Sequence, residues 1–404
     1  MSEFLLNEVC ELIVDCPHTT ANDEGKGFPL VRTPNIGKGR LVYDGMHRVC
    51  EDVYNKRNAR AIPQENDLIF AREATAGNVA LIQKGEKVCL GQRTVLIRPN
   101  QEKVNPAFLT YFLLAPKQQY NLLSTANGAT VAHVNLPTIR NLKIDLPELP
   151  TQHRIATILS RYDSLIENYQ KQIKLLEEAA QRLYKEWFVD LHFPGHENSN
   201  IIDGVPEGWE KKKLSELFSF VKGKSYTSKE LSDEGTIMVN LKNIQSFGGY
   251  KSDVEKHFIG TFKEEQTLMK GDLIMGVTDM TQERRLVGSV ALIPDFKETA
   301  TFSMDLIKLI SFKLPNIYLY CAMRYGDVSR QIAPLANGVN VLHLKPEAIS
   351  NIEMVVASDS IIEKFVSYTS KTIESILSLQ SQLRLLTEAR DRLLPKLMSG
   401  EIEI

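Results

Sequence analysis

The sequence predicts an α+β protein: two mixed α/β domains related by a pseudo-two-fold axis and joined by two long antiparallel helices that form a coiled coil. Three observations predict this class. The second half of the chain repeats the first, each half opens with short β-rich segments and short helices, and each half ends in one long amphipathic segment. The first domain, first long helix, linker, second domain and second long helix are expected at residues 1–150, 151–189, 190–208, 209–358 and 359–404.

The repeat is clearest in one short phrase. The sequence "ANGATVAHV" occupies residues 126–134, and "ANGVNVLHL" occupies residues 336–344, 210 positions later. Upstream, "GNVALI" at Gly77 matches "GSVALI" at Gly288. A period near half of the 404 residues indicates a duplicated domain, because solenoid repeats have much shorter periods.

Each half opens with segments typical of a mixed α/β domain. The stretches "DLIFA", "TVLIRP", "DLIMGV" and "SVALIP" are rich in apolar and β-branched residues and are bounded by Gly, Asp or Pro. This pattern predicts strands separated by loops. The stretches "NPAFLTYFLLAP" and "LPNIYLYCAMRYG" predict short helices, because each begins near a proline and ends at proline or glycine.

The two long segments run from about residue 151 to 187 and from about 360 to 394. Apolar residues recur at steps of three and four, and neither Pro nor Gly interrupts them. A helix roughly 50 Å long cannot bury such a stripe against one small domain, so we expect each stripe to pack on the other. The alternative is that each helix folds back into a separate core. The residues predicted to pack between the helices are Ile166, Tyr169, Ile173, Leu176, Leu183, Ile376, Leu379, Leu383, Leu386 and Leu393.

Composition limits the class of protein. No apolar run approaches the ~20 residues of a membrane span, which leads us to expect a cytoplasmic protein. The five cysteines include no CxxC pair, and Cys16, His18, His47 and Cys50 fit no standard zinc spacing. A net charge of −2 argues against nucleic-acid binding by the whole surface. Residues 32–60, however, hold seven bases against three acids, which indicates a local basic stripe or a solvated loop.

No catalytic motif stands out in the sequence. The "GKS" at Gly223 ends like a phosphate-binding loop, but the upstream glycine that this loop requires is Phe218. Asp295, Asp305 and Lys308 resemble a nuclease set, yet the last acid and the lysine are one residue too far apart. We therefore expect a chain that is not an enzyme by itself.

Several stretches carry a resemblance to a known family. They are "PELPTQHRIATILSRYDSLIENYQKQIKLLEEAAQRLYKEWF", "VPEGWEKKKLSEL", the closing "LLPKLMSGEIEI" and the doubled "NGATVAHV" and "NGVNVLHL". With these stretches in this order, the whole chain resembles the specificity (S) subunit of type I restriction-modification systems.

The resemblance implies different roles for the two mixed domains and the two long helices. The two mixed domains would be target-recognition domains that read a bipartite, asymmetric sequence on double-stranded DNA, and the two helices would hold two methyltransferase (M) subunits. Restriction (R) subunits would join the complex through the methyltransferase subunits. The chain itself would bind no cofactor or metal, and S-adenosylmethionine, ATP and Mg would be bound by the partner subunits.

DNA contacts are expected beside the segments where the two halves diverge, residues 35–67 and 243–272. Arginine can hydrogen-bond guanine and lysine suits phosphate. The predicted contacts are Arg32, Lys38, Arg40, Arg72, Thr75, Lys222, Lys224, Asn240, Lys242, Arg284 and Arg285. Two other functions are compatible with the sequence: a protein-binding coiled-coil scaffold, or a self-contained DNA-modifying enzyme.

The repeated phrase itself is expected to be a structural joint. His133 and His343 are predicted to cap turns and not to touch DNA, and Gly128 and Gly338 are predicted to supply a positive φ. The phrase would thus connect each mixed domain to its long helix.

Overall fold

A computed structural model describes residues 2–124, 133–202, 204–252 and 256–404. The chain divides into two compact units. Unit 1 comprises Met1–Ser164 together with Glu388–Ile404, and unit 2 comprises Leu165–Thr387. Among the helices of the described residues, none is long and apolar enough to cross a membrane.

Unit 1 opens with short strands and short helices, as the sequence predicts. Its strands are β1 Ser2–Leu5, β2 Cys10–Asp15, β3 Phe28–Val31, β4 His47–Val49, β5 Leu68–Ala71, β6 Val79–Leu81, β7 Cys89–Leu90, β8 Thr94–Pro99 and β9 Lys143–Leu146. Its helices are α1 Glu51–Arg57, α2 Pro106–Leu114, α3 Pro116–Ser124, α4 Leu136–Arg140 and the first part of the long helix α5 Leu149–Tyr184.

Four strands form an antiparallel sheet in unit 1, in the order β2-β8-β5-β6. All four residues of β5 are buried, which accounts for its unbroken apolar sequence. A second sheet has the order β4-β3-β7, in which β3 and β7 run parallel, and β1 pairs with β9. Helix α2 begins where the side chain of Asn105 accepts a hydrogen bond from the backbone N–H of Phe108, and Phe108 then packs into the core.

Unit 2 contains the remaining elements. Its strands are β10 Ile201–Ile202, β11 Val205–Pro206, β12 Glu210–Lys213, β13 Phe218–Lys222, β14 Leu231–Ser232, β15 Thr236–Val239, β16 His257–Phe258, β17 Leu273–Gly276, β18 Thr278–Asp279, β19 Val290–Leu292, β20 Ala300–Phe302, β21 Leu306–Ser311, β22 Leu342–His343 and β23 Glu353–Val356. Its helices are α6 Leu214–Leu217, α7 Asn316–Tyr325, α8 Val328–Ile332 and most of the long helix α9 Asp359–Ser399.

The topology of unit 2 repeats that of unit 1. The order β13-β21-β17-β19 matches β2-β8-β5-β6, and the pair β12–β23 matches β1–β9. Strands β15 and β20 run parallel, as β3 and β7 do. The sequence repeat is therefore a repeat of fold, and the predicted α+β class, with two mixed domains and two long helices, is confirmed.

Each long helix continues past the apolar stripe from which the sequence predicts it. Helix α5 has 36 residues and continues into a π-helical turn, Lys185–Val189. Helix α9 has 41 residues and includes Pro395, which follows directly after the stripe. The proline removes one backbone donor near the end of the helix. Continuation past it places Leu397, which is 2% exposed, in the core of unit 1.

Contacts inside each unit show the relative direction of the helices. In unit 2, the rings of Trp187, just after α5, and Phe365, early in α9, have centroids 5.9 Å apart. In unit 1, Asp163, midway along α5, accepts a hydrogen bond of 2.9 Å from Arg390, late in α9. Later positions in α5 thus meet earlier positions in α9, which is the order of an antiparallel pair.

The residues predicted to pack between the helices lie in two cores. Nine of them lie in or against one apolar cluster of unit 2: Ile166, Tyr169, Ile173, Leu176, Leu183, Ile376, Leu379, Leu383 and Leu386. Leu393 instead packs against the cluster of unit 1. Both clusters also contain residues of the mixed domains, so the helices do not pack only on each other.

We expect Ile173→Ala and Ile376→Ala each to lower the free energy of unfolding of unit 2 by about 2–5 kcal/mol, because each removes a buried side chain and leaves a cavity. Ile173 is 7% exposed and Ile376 is 4% exposed. The two tryptophans of the chain, Trp187 and Trp209, both lie in unit 2, so their fluorescence during urea unfolding reports this unit.

Leu175→Ala is the matched control. Leu175 lies on the same helix but is 64% exposed, and its truncation should change stability by less than about 0.5 kcal/mol. Equal effects at Leu175 and Ile173 would contradict the burial of the stripe.

Candidate nucleic-acid interface

The two divergent segments begin with the same small hairpin in both units. Hairpin 1 is residues 36–42, closed by an antiparallel bridge between Ile36 and Leu41, and hairpin 2 is residues 244–251, closed by one between Ile244 and Tyr250. Each follows a short 3₁₀ turn at the end of β3 or β15. The two units thus share a framework in the region where their sequences differ.

A buried asparagine holds each hairpin. Asn35 and Asn243 are each 2% exposed, and their Nδ2 groups donate hydrogen bonds of 3.1 Å to the carbonyls of Val42 and Lys251. The same side chains accept from the backbone three residues earlier, at 3.2 Å for Asn35 and 3.0 Å for Asn243. Because a buried amide needs partners for its donors and its acceptor, this arrangement requires asparagine at both positions.

The tips of the hairpins are anchored alike but differ in chemistry. The N–H of Gly39 donates to the carbonyl of Val79 at 2.7 Å, and the N–H of Gly249 donates to that of Val290 at 2.8 Å. Hairpin 1 presents the sequence Gly-Lys-Gly-Arg, with Lys38 exposed. Hairpin 2 is one residue longer and presents Gln-Ser-Phe-Gly-Gly, with an exposed phenylalanine.

A second joint in each unit is formed by the described residues of the repeated phrase, 133–134 in unit 1 and 336–344 in unit 2. Its histidine contacts the segment that follows the buried strand: His133 Nδ1 lies 2.7 Å from Glu73 Oε1, and His343 Nδ1 lies 3.2 Å from Thr278 Oγ1 in β18, the strand with which β22 pairs. Gly338 has φ +153°, and a Cβ there would lie 1.9 Å from the carbonyl oxygen of Val341. Gly338 thus has the predicted positive φ and Gly128 lies outside the described residues, while the turn-capping role of the two histidines stays a prediction.

Arg72, predicted to contact DNA, lies inside this joint. It is 8% exposed, and its guanidinium donates to the Asp15 carboxylate at 2.7 Å and to the Val134 carbonyl at 2.9 Å. A third nitrogen lies 2.8 Å from His133 Nε2. Since arginine only donates, this contact assigns the ring proton of His133 to Nδ1, where it is donated to Glu73. Arg72 is thus fully engaged within the protein.

The other residues predicted in the first domain occupy different settings. Arg32 is half-buried and donates to the carbonyl of Gly45 at 3.1 Å, and Thr75 donates through its hydroxyl to the carbonyl of Thr33 at 2.8 Å. Arg40 lies beside Tyr111: burial raises the pKa of Tyr111, Asp163 raises it further, and Arg40 opposes this rise.

The basic stripe of residues 32–60 is smaller than its sequence indicates. Arg57 is 6% exposed and donates to three backbone carbonyls, including that of Leu90 at 2.6 Å. Burial also lowers the pKa of Arg57. This residue is part of the interior, so it cannot be counted as surface charge.

In unit 2, the predicted residues fall into three groups. Lys222, Lys242 and Arg285 are exposed, and Lys224 and Arg284 are half-buried. Lys222 pairs with Glu347 at 2.8 Å. Asn240 differs from these, because it is 4% exposed and its side chain bonds to the backbone N–H of Lys242 and the carbonyl of Met238. Its amide caps the 3₁₀ turn before hairpin 2.

Arg284 and Arg285 lie on a loop organised by one buried carboxylate. Asp279 is 1% exposed and accepts hydrogen bonds from the backbone and hydroxyl of Thr281 and from the backbone of Leu286. The carbonyl of Arg285 in turn accepts from the N–H of Phe247 at 2.9 Å. The arginine loop and the tip of hairpin 2 are therefore joined.

The arginine loop and hairpin 2 border a cavity of about 620 Å³ that also receives side chains from α7 and α8. Arg324 lies in its wall and is paired with Glu177 at 2.8 Å; burial tends to lower the pKa of Arg324, but the neighbouring tyrosines and Glu177 raise it overall. Arg330 is exposed at its edge. Among the residues that the model describes, no group of three or more His, Cys, Asp or Glu could hold a metal ion.

Three further residues of these surfaces are not among those predicted from the sequence. Phe247 and Arg330 border the cavity, and Arg93, whose side chain is 61% exposed, shares a cleft of about 280 Å³ with Arg32. The sequence offers a signal only for Phe247, an aromatic residue before Gly-Gly at a position where the two halves diverge. Nothing in the spacing of Arg93 or Arg330 distinguishes them from ordinary surface arginines.

We expect Arg72→Ala to destabilise unit 1 by about 3 kcal/mol, because it removes the closest partner of the half-buried Asp15 carboxylate and leaves it only the contact with the exposed His18, at 3.3 Å, and the backbone N–H of Cys16. Faster hydrogen exchange in β5 and β8 would report this loss. Lys38→Ala, at an exposed site of the same unit, should leave the exchange unchanged. Normal exchange in Arg72→Ala would contradict the structural role and leave the predicted DNA contact standing.

Comparisons with known proteins agree with this duplicated architecture. The model of the type I restriction modification DNA specificity domain matches the chain at residues 1–178 and again at 206–382. The MjaIX specificity subunit of Methanocaldococcus jannaschii is 25% identical over 390 residues, which cover 94% of this chain and 88% of the relative. The MjaVIII specificity subunit of the same organism is 23% identical and covers 86% and 81%.

A solved structure has the same fold. The crystal structure of the type I restriction-modification S subunit from M. genitalium superimposes with a TM-score of 0.59 at 16% identity, over 98% of this chain and 95% of that chain. The chain therefore belongs to the family of type I restriction-modification DNA specificity domains, which it carries twice, and it is a specificity subunit of such a system.

Proposed function

We propose that each mixed domain reads one half of a bipartite, asymmetric target on double-stranded DNA. The observation that carries this proposal is the pair of hairpins: a shared framework held by Asn35 and Asn243, with tips that differ in length, charge and polarity. Two domains of one fold that present different side chains suit two half-sites of different sequence. Side chains at base edges provide the specificity, and contacts to the backbone provide position.

The predicted contacts divide by exposure. The exposed Lys38, Lys222 and Lys242 would bind phosphates, and Lys222 would then give up its ion pair with Glu347. Arg284 and Arg285 have guanidinium groups that can hydrogen-bond guanine in the major groove. Lys224, Arg32, Arg40 and Thr75 are half-buried and would act beside these residues, whereas the contacts of Arg72 and Asn240 favour structural roles.

We further propose that the long helices hold two methyltransferase subunits, through which restriction subunits join. Several large apolar side chains on the helices are exposed: Leu175 at 64%, Tyr368 at 66% and Leu385 at 49%. Exposed apolar side chains of this size are typical of protein interfaces. S-adenosylmethionine, ATP and Mg would be bound by the partner subunits, and the assembly would act on DNA in the cytoplasm.

The test of recognition is selection of bound duplexes from a random pool by the full chain together with methyltransferase subunits. We expect two short conserved half-sites separated by a spacer of constant length. Arg284→Ala should weaken binding to the selected duplex by about 1–3 kcal/mol and relax the preference at one position of one half-site.

Arg182→Ala is the control for loss of one positive charge. Arg182 lies on α5 with a side chain 84% exposed, so its removal should leave the selected sequence unchanged. If Arg284→Ala lowers binding to all duplexes equally, Arg284 contacts phosphate only. If the native chain selects no sequence, the protein-binding scaffold becomes the better explanation.

The test of assembly is co-purification with methyltransferase subunits. We expect Leu175→Asp to weaken this association about tenfold or more, because it places a charge in an apolar contact. The neighbouring change Lys174→Ala, at an exposed polar position, should have little effect. Full association of Leu175→Asp would show that the partner docks elsewhere.

A further inference from the structure

Phe247 is an unusual residue at the tip of hairpin 2. Its side chain is 68% exposed, although a phenylalanine ring gains free energy from burial. Its backbone has φ +66°, a left-handed conformation that non-glycine residues rarely adopt. Residues held in such conformations cluster at ligand-binding sites, where the surrounding structure enforces them.

The surrounding structure does enforce this conformation. The N–H of Phe247 is bound to the carbonyl of Arg285 at 2.9 Å, and Gly248 and Gly249 follow with φ +104° and +107°. A Cβ at Gly248 would lie 2.9 Å from the side chain of Arg324, so the turn can approach the cavity wall only with glycine. Three consecutive left-handed residues therefore hold the ring out from the domain.

The charges around the ring favour an anionic ligand. Arg285 is neutralised by Glu283 at 2.7 Å, and Arg324 by Glu177 at 2.8 Å. The guanidinium groups of Arg284 and Arg330, which also border the cavity, have no hydrogen bond or ion pair to any residue that the structure describes. An exposed aromatic ring that borders the same cavity as two such arginines is a combination suited to nucleic acid, whose bases are apolar on their faces and whose backbone is negative.

The corresponding tip in unit 1, that of hairpin 1, exposes a residue of different chemistry. There the exposed residue is Lys38, placed between Gly37 and Gly39. A lysine can bind acceptors on guanine or phosphate, whereas a phenylalanine can only make apolar contacts. The one apolar group that a base pair presents in the major groove is the C5-methyl group of thymine.

We infer that the tips of the two hairpins are specificity-determining elements, and that Phe247 contacts the methyl group of one thymine in the half-site read by unit 2. This inference rests on the DNA recognition proposed above and names the chemistry of one of its contacts. The polar tip of hairpin 1 would contact a different chemical group, a hydrogen-bond acceptor, at the corresponding position of the other half-site.

A double-mutant cycle tests the contact: the phenylalanine ring and the thymine methyl group are removed singly and together. In the selected duplex, each thymine of either half-site is replaced singly by deoxyuridine, which lacks only the methyl group. Binding by the full chain with methyltransferase subunits is measured by fluorescence anisotropy. We expect one position at which loss of the methyl group weakens binding by the native chain about fourfold.

Phe247→Ala should weaken binding to the thymine duplex by about tenfold and should bind the deoxyuridine duplex equally well, because the contact is already absent. Phe312→Ala is the matched control: Phe312 is 55% exposed in the same unit but away from the cavity. This variant should retain both the native affinity and the sensitivity to the methyl group.

Three outcomes would overturn the inference. The native chain could be insensitive to every deoxyuridine, Phe247→Ala could keep the full sensitivity, or Phe247→Ala could weaken binding while no methyl group matters. The last result would assign Phe247 to a wedge between base pairs. Failure of the proposed function is seen separately, because the native chain would then not prefer the selected duplex to a scrambled one.

Discussion

The structure depends on the burial of the apolar stripes of α5 and α9 in two different cores. In unit 1, Leu159 of α5 and Leu397 of α9 share a cluster with Phe108 of α2. In unit 2, Ile173 and Phe365 share another with Tyr318 of α7. A stripe of this length would be costly to expose to water, since each large apolar side chain gains roughly 1.5–3 kcal/mol on burial. The long helices are therefore part of both domains and not spacers between finished ones.

In each hairpin, the residues that hold the loop in place differ from the residue that is exposed at its tip. The amides of Asn35 and Asn243 bond to the backbone on both sides of each hairpin, and the glycines at the tips bond to the neighbouring strands. None of these bonds uses the side chains of Lys38 or Phe247. The tips can thus change from lysine to phenylalanine, and in length, without loss of the bonds that hold the hairpin. Function is commonly found on such loops, which a rigid scaffold positions.

The parts of the fold that the sequence predicts are those with long or repeated patterns. The duplication, the strands such as β5 and β17 and the two long helices follow from periodicity and self-similarity. The apolar stripe of α9 stops before Pro395, a residue that usually ends a helix, whereas here the burial of Leu397 carries the helix past this proline. Local patterns do not reveal such tertiary contacts.

Side-chain roles were harder to predict than elements. Arg57 and Arg72 look like surface bases in the sequence, but their partners, Leu90 and Asp15, lie 33 and 57 residues away. Charge alone cannot distinguish an arginine that faces DNA from one that satisfies buried carbonyls. Phe247 was missed for the opposite reason: an isolated aromatic residue normally indicates core, whereas this ring is 68% exposed at the tip of hairpin 2.

The division of α9 between two cores has a consequence for synthesis of the chain. The core of unit 1 includes Leu397, yet the rest of unit 1 ends at Ser164, and all of unit 2 lies between them. Domains commonly fold as they leave the ribosome, beginning with the N-terminal one. Here the N-terminal domain can complete its core only after residues 388–399 have been translated, whereas unit 2 is complete at Thr387. The domain that is synthesised first thus completes its core last. A chain truncated before the end of α9 would lose packing in the N-terminal domain.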